Sequence, residues 1–225
     1  MNLPQHHRPT QQEVDALPWF HQVDFGGGVV SPGRIRLDKI RRMSKLIFDR
    51  PITGKTVLDI GCWDGAYSIE AARRGAARVL ATDHFVWRSS WGDRRCFDLA
   101  RTCLAPEIEV LDVDVPDLSV ERVGTFDVVL FLGVFYHLRD PISTLERVAA
   151  LATEVLVVES RIIAPFSRRP MMRFYPGAEL DGDPTNWWAP NRACLDAMLR
   201  DLGFRTITFR RPDRRFRRGM FHAQR

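Results

Sequence analysis

The chain has 225 residues, 45% of them hydrophobic and 27% charged, enough apolar mass for one sizeable globular core and too much for a disordered chain. No uninterrupted apolar run nears the roughly 20 residues of a membrane span, and the polar start MNLPQHHRPTQQEVD lacks the apolar segment of a secretory signal, so a soluble, cytoplasmic protein with no membrane partner is expected. The net charge of +5 is uneven: from Arg205 to Arg225 eight arginines face the single acid Asp213, an excess of seven positive charges that leaves residues 1–204 at −2.

Residues 1–33 hold four prolines and the run Gly26, Gly27, Gly28, and are expected to be largely irregular. One short helix is expected, because Thr10 with Glu13 three positions on makes a capping box ahead of Val14 and Leu17. After Gly33 the segment RIRLDKIRRMSKLIF sets Ile35, Ile40, Met43, Ile47 and Phe48 close to one helical stripe with basic residues between, the pattern of an amphipathic helix. Residues 1–50 thus read as an extension ahead of a domain over 51–225.

From Lys55 the pattern becomes strand and helix in alternation. TVLDI, RVLATD, IEVLDV, FDVVLFLGV and EVLVVES read as strands; AYSIEAARRG, DRRCFDLARTCL and the segment from Pro141 to about Leu151 read as helices. Strands apolar throughout, rather than alternating, suit an α/β fold with a parallel sheet covered by helices on both faces. A loop-rich insertion over 160–189 follows, then the helix CLDAMLRDLGF. RTITFRR and RRGMFHAQ, joined by a short PDRRF connector, are expected to pair as an antiparallel hairpin. The arginines of this tail, and a smaller group at Arg161, Arg168, Arg169 and Arg173, read either as a basic surface for an anionic partner or as a solvated strand edge. Cys62, Cys96, Cys103 and Cys194 form no CxxC pair, and acids and histidines show no ligand spacing, so no disulfide framework and no metal is expected.

The run VLDIGCWDGAYSIEAARRGAARVLATD joins a strand, a glycine turn, a helix and a second strand ending in an acid. Gly61 and Gly65 let backbone approach a ligand closely, and the helix that follows offers free N–H groups to an anion. Asp83 ends the second strand, where a carboxylate can accept ribose hydroxyls. An adenosine ligand is indicated, but the spacing is GxxxG with Trp63 inside it, not the GxGxxG of dinucleotide enzymes.

At VLDIGCWDG and FDVVLFLGVFYHLRDP the chain resembles the class I methyltransferases that use S-adenosylmethionine. WFHQVDFGGGVVSPG, FYPGAEL, NWWAPN and the late LGF are similar to the branch that includes the tRNA wobble-uridine 5-oxyacetyl methyl- and carboxymethyltransferases. The resemblance implies a Rossmann-like fold with a mostly parallel seven-stranded sheet. It implies Asp59, Gly61, Cys62, Trp63 and Gly65 around the amino-acid end of the cofactor and Asp83 with His84 at the ribose. Asp112 and Val113 would meet the adenine amine, with Asp114 competing for that role, and Leu132 and Gly133 would border the methionine part. In the tRNA-modifying members a carboxylated S-adenosylmethionine replaces the ordinary one, and Tyr136, His137 and Arg139 resemble part of the set that neutralises its carboxylate.

On the acceptor side, in-line methyl transfer needs mainly alignment and water exclusion, while an oxygen acceptor profits from a base. His137 and Tyr136 are the candidates for base or acceptor contact, with Glu159 in VVES as a second base. GDPTNWWAPN concentrates Asp183, Asn186, Trp187 and Trp188 in one loop, with Asn186 and Trp187 expected in an acceptor pocket, Trp188 in the core and either Asn186 or Asn191 capping the next helix. The expected activity is methyl transfer to oxygen of a small or sugar-like acceptor. The alternatives are a tRNA wobble-uridine transferase and a binding protein for S-adenosylmethionine without turnover.

Overall fold

A computed structural model describes residues 8–212 and 217–225. Two compact units divide the chain, one ending at Asp114 and the other beginning at Val115.

The first unit opens with helix α1 (Gln11–Asp15), capped as the sequence requires: Thr10 Oγ1 accepts from the Glu13 amide at 3.2 Å and Glu13 Oε2 accepts from the Thr10 amide at 2.7 Å. Next come β1 (Asp24–Gly26) and β2 (Val29–Val30), an antiparallel hairpin turned by Gly27 and Gly28. The start is otherwise largely irregular, as expected, and the hairpin is an addition to that reading, since three glycines at positive φ make a turn as readily as a linker. Helix α2 (Leu37–Ile47) buries Ile40, Ser44 and Ile47 and keeps its basic side chains outward. Then follow β3 (Thr56–Ile60), α3 (Ala66–Arg73), β4 (Arg78–Asp83), α4 (Phe85–Arg88), α5 (Arg94–Leu104) and β5 (Glu109–Asp112). β3 pairs with β4 and β4 with β5, both parallel. α4, which carries Trp87, lies between β4 and the expected helix DRRCFDLARTCL.

The second unit holds α6 (Val120–Val123), β6 (Phe126–Leu132), α7 (Pro141–Ala150), β7 (Ala152–Arg161), β8 (Met172–Phe174), β9 (Trp188–Pro190), α8 (Arg192–Asp201), β10 (Thr206–Arg210) and β11 (Arg218–Gln224). β6 and β7 run parallel, whereas β7–β11 and β11–β10 are antiparallel. The expected hairpin is therefore present, in full register from Thr206 opposite Gln224 to Arg210 opposite Met220. Its second strand lies inside the sheet, between β10 and β7, and in the first unit β4 lies between β3 and β5. Val128–Phe131 of β6, Leu156–Val158 of β7 and Met220–Phe221 of β11 supply the buried apolar rows. Within the insertion, β8 pairs with β9. Asn191 supplies the cap of α8, accepting from the Cys194 amide at 2.8 Å, so that role does not fall to Asn186. Trp188 is half-buried against Phe174, not a core residue, because β8 and β9 form a separate two-stranded ribbon. Among the described residues no helix is long and apolar enough to cross a membrane.

Candidate functional site

In the first unit the turn between β3 and α3 concentrates the candidate cofactor residues. Gly61 and Gly65 both have positive φ, 73° and 76°. At Gly65 a Cβ would sit 2.7 Å from the Phe97 ring, so only glycine lets the turn close over α5. Trp63 shares the left-handed region at φ 53°, where a side chain costs roughly 1–2 kcal/mol. Its surroundings hold it there. The indole stacks on Phe20 with centroids 3.8 Å apart, its amide donates to Asp83 Oδ2 at 3.0 Å, and its carbonyl accepts from Trp87 Nε1 at 2.9 Å.

Asp83, 5% exposed, accepts three backbone N–H groups, from Trp63, His84 and Val86. A carboxylate has roughly four acceptor positions, so about one remains, on Oδ2, for a ligand hydroxyl. Burial raises its pKa, and the three amide bonds oppose that shift. Asp59 is buried with Ser68 Oγ donating to its Oδ2 at 2.6 Å, and burial pushes its pKa up to about 6. Burial likewise pushes the Cys62 thiol up, leaving it a neutral wall of the turn. Asp112 is occupied differently: Arg88 donates to Oδ2 from Nε and Nη2, and His84 Nδ1 lies 2.7 Å from Oδ1. Arg88 first, then His84, holds its pKa down. An adenine amine would therefore share Asp112 with two side chains, while Val113, buried, donates its amide to the Asp83 carbonyl at 3.2 Å.

Sequence reasoning missed the part played by residues 19–22. Asp64, fully buried, accepts from the amides of Phe20 and His21 through Oδ2 at 2.9 and 2.7 Å, tying the N-terminal segment to the glycine turn. No local signal announces this, because the partners are more than forty positions apart.

In the second unit Leu132 ends β6, and Gly133, at φ 75°, donates its amide to the Glu159 carbonyl at 2.9 Å. A Cβ on Gly133 would lie 3.3 Å from Arg218 Nη2 and 3.6 Å from the Tyr136 hydroxyl, so the missing side chain leaves room beside both. Tyr136 and His137 follow in a single 3₁₀ turn, their ring centroids 4.3 Å apart. Arg218 Nη1 and Nη2 donate to the Tyr136 hydroxyl at 3.2 and 3.1 Å, and Arg218 also grips both oxygens of Glu159. Burial raises the Tyr136 pKa, so the phenol is neutral and keeps its own proton to donate. Burial lowers the pKa of His137, whose Nδ1 faces Thr185, and the imidazole is neutral at pH 7.

Arg218 is the clearest correction to the reading of the tail. It is an internal ion-pair partner, because β11 lies between β10 and β7 and not at a solvated edge. Arg161 is likewise paired, with Asp181. Arg214 and Arg215, expected on the same basic surface, lie outside the described residues. Of the acceptor loop, Trp187 donates its amide to the Tyr136 carbonyl at 2.9 Å and carries Arg139 over its ring at 3.6 Å. Asn186, 4% exposed, donates through Nδ2 to the Leu180 carbonyl, which places it beneath the loop. Tyr136, His137, Arg139, Glu159 and Trp187 are thus brought together, and Arg218 from the basic tail and Thr185 from GDPTNWWAPN join the cluster in roles the sequence did not assign them.

The first unit suits a cation. Neither Asp59 nor Asp83 has an ion-pair partner among the described residues, and a sulfonium with an α-ammonium group supplies the positive charge that buried carboxylates lack.

Comparison with known proteins identifies the family and the fold. A family model described as a methyltransferase domain matches residues 33–208. The tRNA U34 carboxymethyltransferase of Pseudomonas aeruginosa is 33% identical over 165 residues, 68% of this chain and 46% of that protein. Its counterpart in Pseudomonas fluorescens strain SBW25 is 30% identical over 167 residues, 69% and 47% of the two. The chain spans about half the length of the curated relatives it matches. Among solved structures, the N-terminal domain of EvdMO1 in the presence of SAH and D-fucose superposes with a TM-score of 0.69 at 20% identity, covering 95% of this chain and 92% of that one. Magnesium protoporphyrin IX methyltransferase from Synechocystis PCC 6803 with bound SAM gives 0.59 at 22%, covering 84% and 78%. At these identities the superpositions establish a shared fold.

Proposed function

This chain belongs to the methyltransferase-domain family and is an S-adenosylmethionine-dependent methyltransferase, and from that premise we propose that it methylates an oxygen of a small, uncharged, sugar-like acceptor. S-adenosylmethionine supplies an electrophilic methyl group and departs as S-adenosylhomocysteine. In this reading Asp59 and the turn Gly61–Gly65 hold the amino-acid end, Asp83 takes a ribose hydroxyl through its open position, Asp112 and Val113 border the adenine, and Leu132 and Gly133 border the methionine chain.

The observation that carries the reading is His137: a half-buried imidazole, neutral at pH 7, in the turn that follows β6 and beside the proton of a neutral phenol. Such a group can take the proton of a hydroxyl, with Tyr136 and Trp187 as acceptor contacts. Glu159, with both oxygens on Arg218, is less available as a base. Arg218 and Arg161, the two cations that bear on the His137 ring, are each neutralised by a carboxylate of the chain, which favours an uncharged group at His137. The structural neighbour crystallised with SAH and D-fucose supports a sugar. The test is release of S-adenosylhomocysteine from S-adenosylmethionine with a panel of free and nucleotide-linked sugars. His137→Gln is expected to lower kcat about 10²-fold or more and to leave cofactor affinity unchanged; wild-type turnover would remove His137 as the base.

A second reading rests on the curated relatives: transfer to the wobble uridine of tRNA, with ordinary or carboxylated S-adenosylmethionine. Tyr136 and Arg218 beside Gly133 are the feature in its favour. It requires retention of tRNA that weakens steeply with salt, whereas turnover on a free sugar should be nearly indifferent to salt.

A further inference from the structure

Thr185 lies in GDPTNWWAPN without a role of its own in the sequence, yet it stands between Asp183 and His137. Asp183 Oδ1 accepts from the Thr185 amide at 2.8 Å and from the Thr185 hydroxyl at 2.7 Å. On the other side, His137 Nδ1 lies 2.9 Å from Thr185 Oγ1 and 3.0 Å from the Thr185 carbonyl oxygen. The direction of each bond follows from what the groups are able to do. An ionised carboxylate only accepts, so the threonine hydroxyl commits its single proton to Asp183 and turns a lone pair toward the imidazole. The carbonyl also only accepts. Two acceptors therefore meet Nδ1, and in a neutral ring the proton must sit there, leaving the lone pair on Nε2.

We propose that Asp183 and Thr185 are positioning residues that lock His137 in the Nδ1–H tautomer, so that Nε2 is the atom that takes the acceptor hydroxyl's proton. The use of that lone pair rests on the reading of His137 as the base; the lock itself rests on the hydrogen-bond chain alone. A third group that orients the base and fixes its tautomer is what nucleophile activation by histidine requires. The proton received by Nε2 makes an imidazolium, whose second N–H remains on Thr185 and whose charge Asp183 stabilises, and it returns to water when product leaves. The charged groups bearing on this ring are Asp183, which favours the imidazolium, and Arg218 and Arg161, which disfavour it and are themselves paired with Glu159 and Asp181. Tyr136, the adjoining ring, is neutral.

The test uses the full chain with ¹⁵N-labelled histidine, and long-range imidazole ¹H–¹⁵N correlation at pH 7.5 with the His137 signals assigned by their loss in His137→Gln. The wild type is expected to show a protonated Nδ1 and a bare Nε2. A proton on Nε2 would overturn the lock whatever the activity. Asp183→Ala releases the threonine hydroxyl to donate to Nδ1, and is expected to populate the Nε2–H form and lower kcat about tenfold at unchanged cofactor affinity. Asp183→Asn keeps an acceptor and loses the charge; it should retain the tautomer and move the acidic limb of the kcat profile to lower pH, a shift that a merely structural loop residue would not cause. An Nδ1–H tautomer with full turnover in His137→Gln would leave the lock standing and overturn its catalytic use.

Discussion

The two units treat buried charge in opposite ways. In the first, Asp59 and Asp83 are buried within 24 positions of each other and rest on hydroxyl and amide groups, without an ion pair among the described residues. In the second, among the described residues, buried Glu159 pairs with Arg218 across 59 positions, and half-buried Arg161 pairs with Asp181 at the surface. Unpaired buried carboxylates leave a place for a cation, and paired cations beside His137 leave a place for an uncharged group, a difference that matches the proposed sulfonium donor and hydroxyl acceptor.

The sharpest way to break the contrast is Arg218→Met, which strands Glu159, 4% exposed, without its partner. A loss of about 3 kcal/mol in denaturant unfolding is expected, the lower part of the range for orphaned buried charges because Arg218 itself keeps some solvent contact. Replacing both partners by apolar residues of similar size should recover most of it; a single variant as stable as the wild type would show that the pair is not buried in solution. On the other side of the comparison, Asp83→Asn removes the charge and keeps one oxygen, enough for the His84 and Val86 amides but not for that of Trp63. Cofactor affinity measured by calorimetry should fall about tenfold or more, near 1.4 kcal/mol, with the fold retained.

Asp59 sharpens the contrast through pH. Its folded pKa of about 6 lies above its ordinary value of 3.8, so between those values the folded chain holds the extra proton. Stability is therefore expected to fall as pH rises from about 4 to 6, with the full cost present above 6. Deprotonation also creates the charge an ammonium group needs, so cofactor affinity should rise over the same interval. Asp59→Asn should flatten both slopes, and an unchanged pH dependence of affinity would take Asp59 out of the cofactor site. The smallest effect is expected at the exposed rim, where Arg139→Gln removes the cation over the Trp187 ring. Stability should change by no more than about 1 kcal/mol, while a large rise in acceptor KM would mark the pair as an acceptor contact.

What was legible in the sequence is what depends on neighbours along the chain. The Thr10–Glu13 capping box, the apolar runs of β3, β4, β6 and β7, the glycine turn before α3 and the β10–β11 hairpin all follow from spacing of a few residues, and each is present. The β1–β2 hairpin was hidden because glycine runs serve turns and linkers alike, and β8 and β9 because three-residue strands leave almost no pattern.

The sequence by itself determined the fold class and the layout of the candidate cofactor turn, since strand, turn, helix and terminal acid are contiguous. Only the tertiary structure decided which charges are spent. Arg218 looks like one of a row of solvated arginines until the strand order places it between β10 and β7, against Glu159 and Tyr136. Thr185 gains its place only when its loop reaches His137, 48 positions away. A composition reports how many charges a chain carries, but whether each faces water, a ligand or another side chain is set by long-range packing, which no local pattern records.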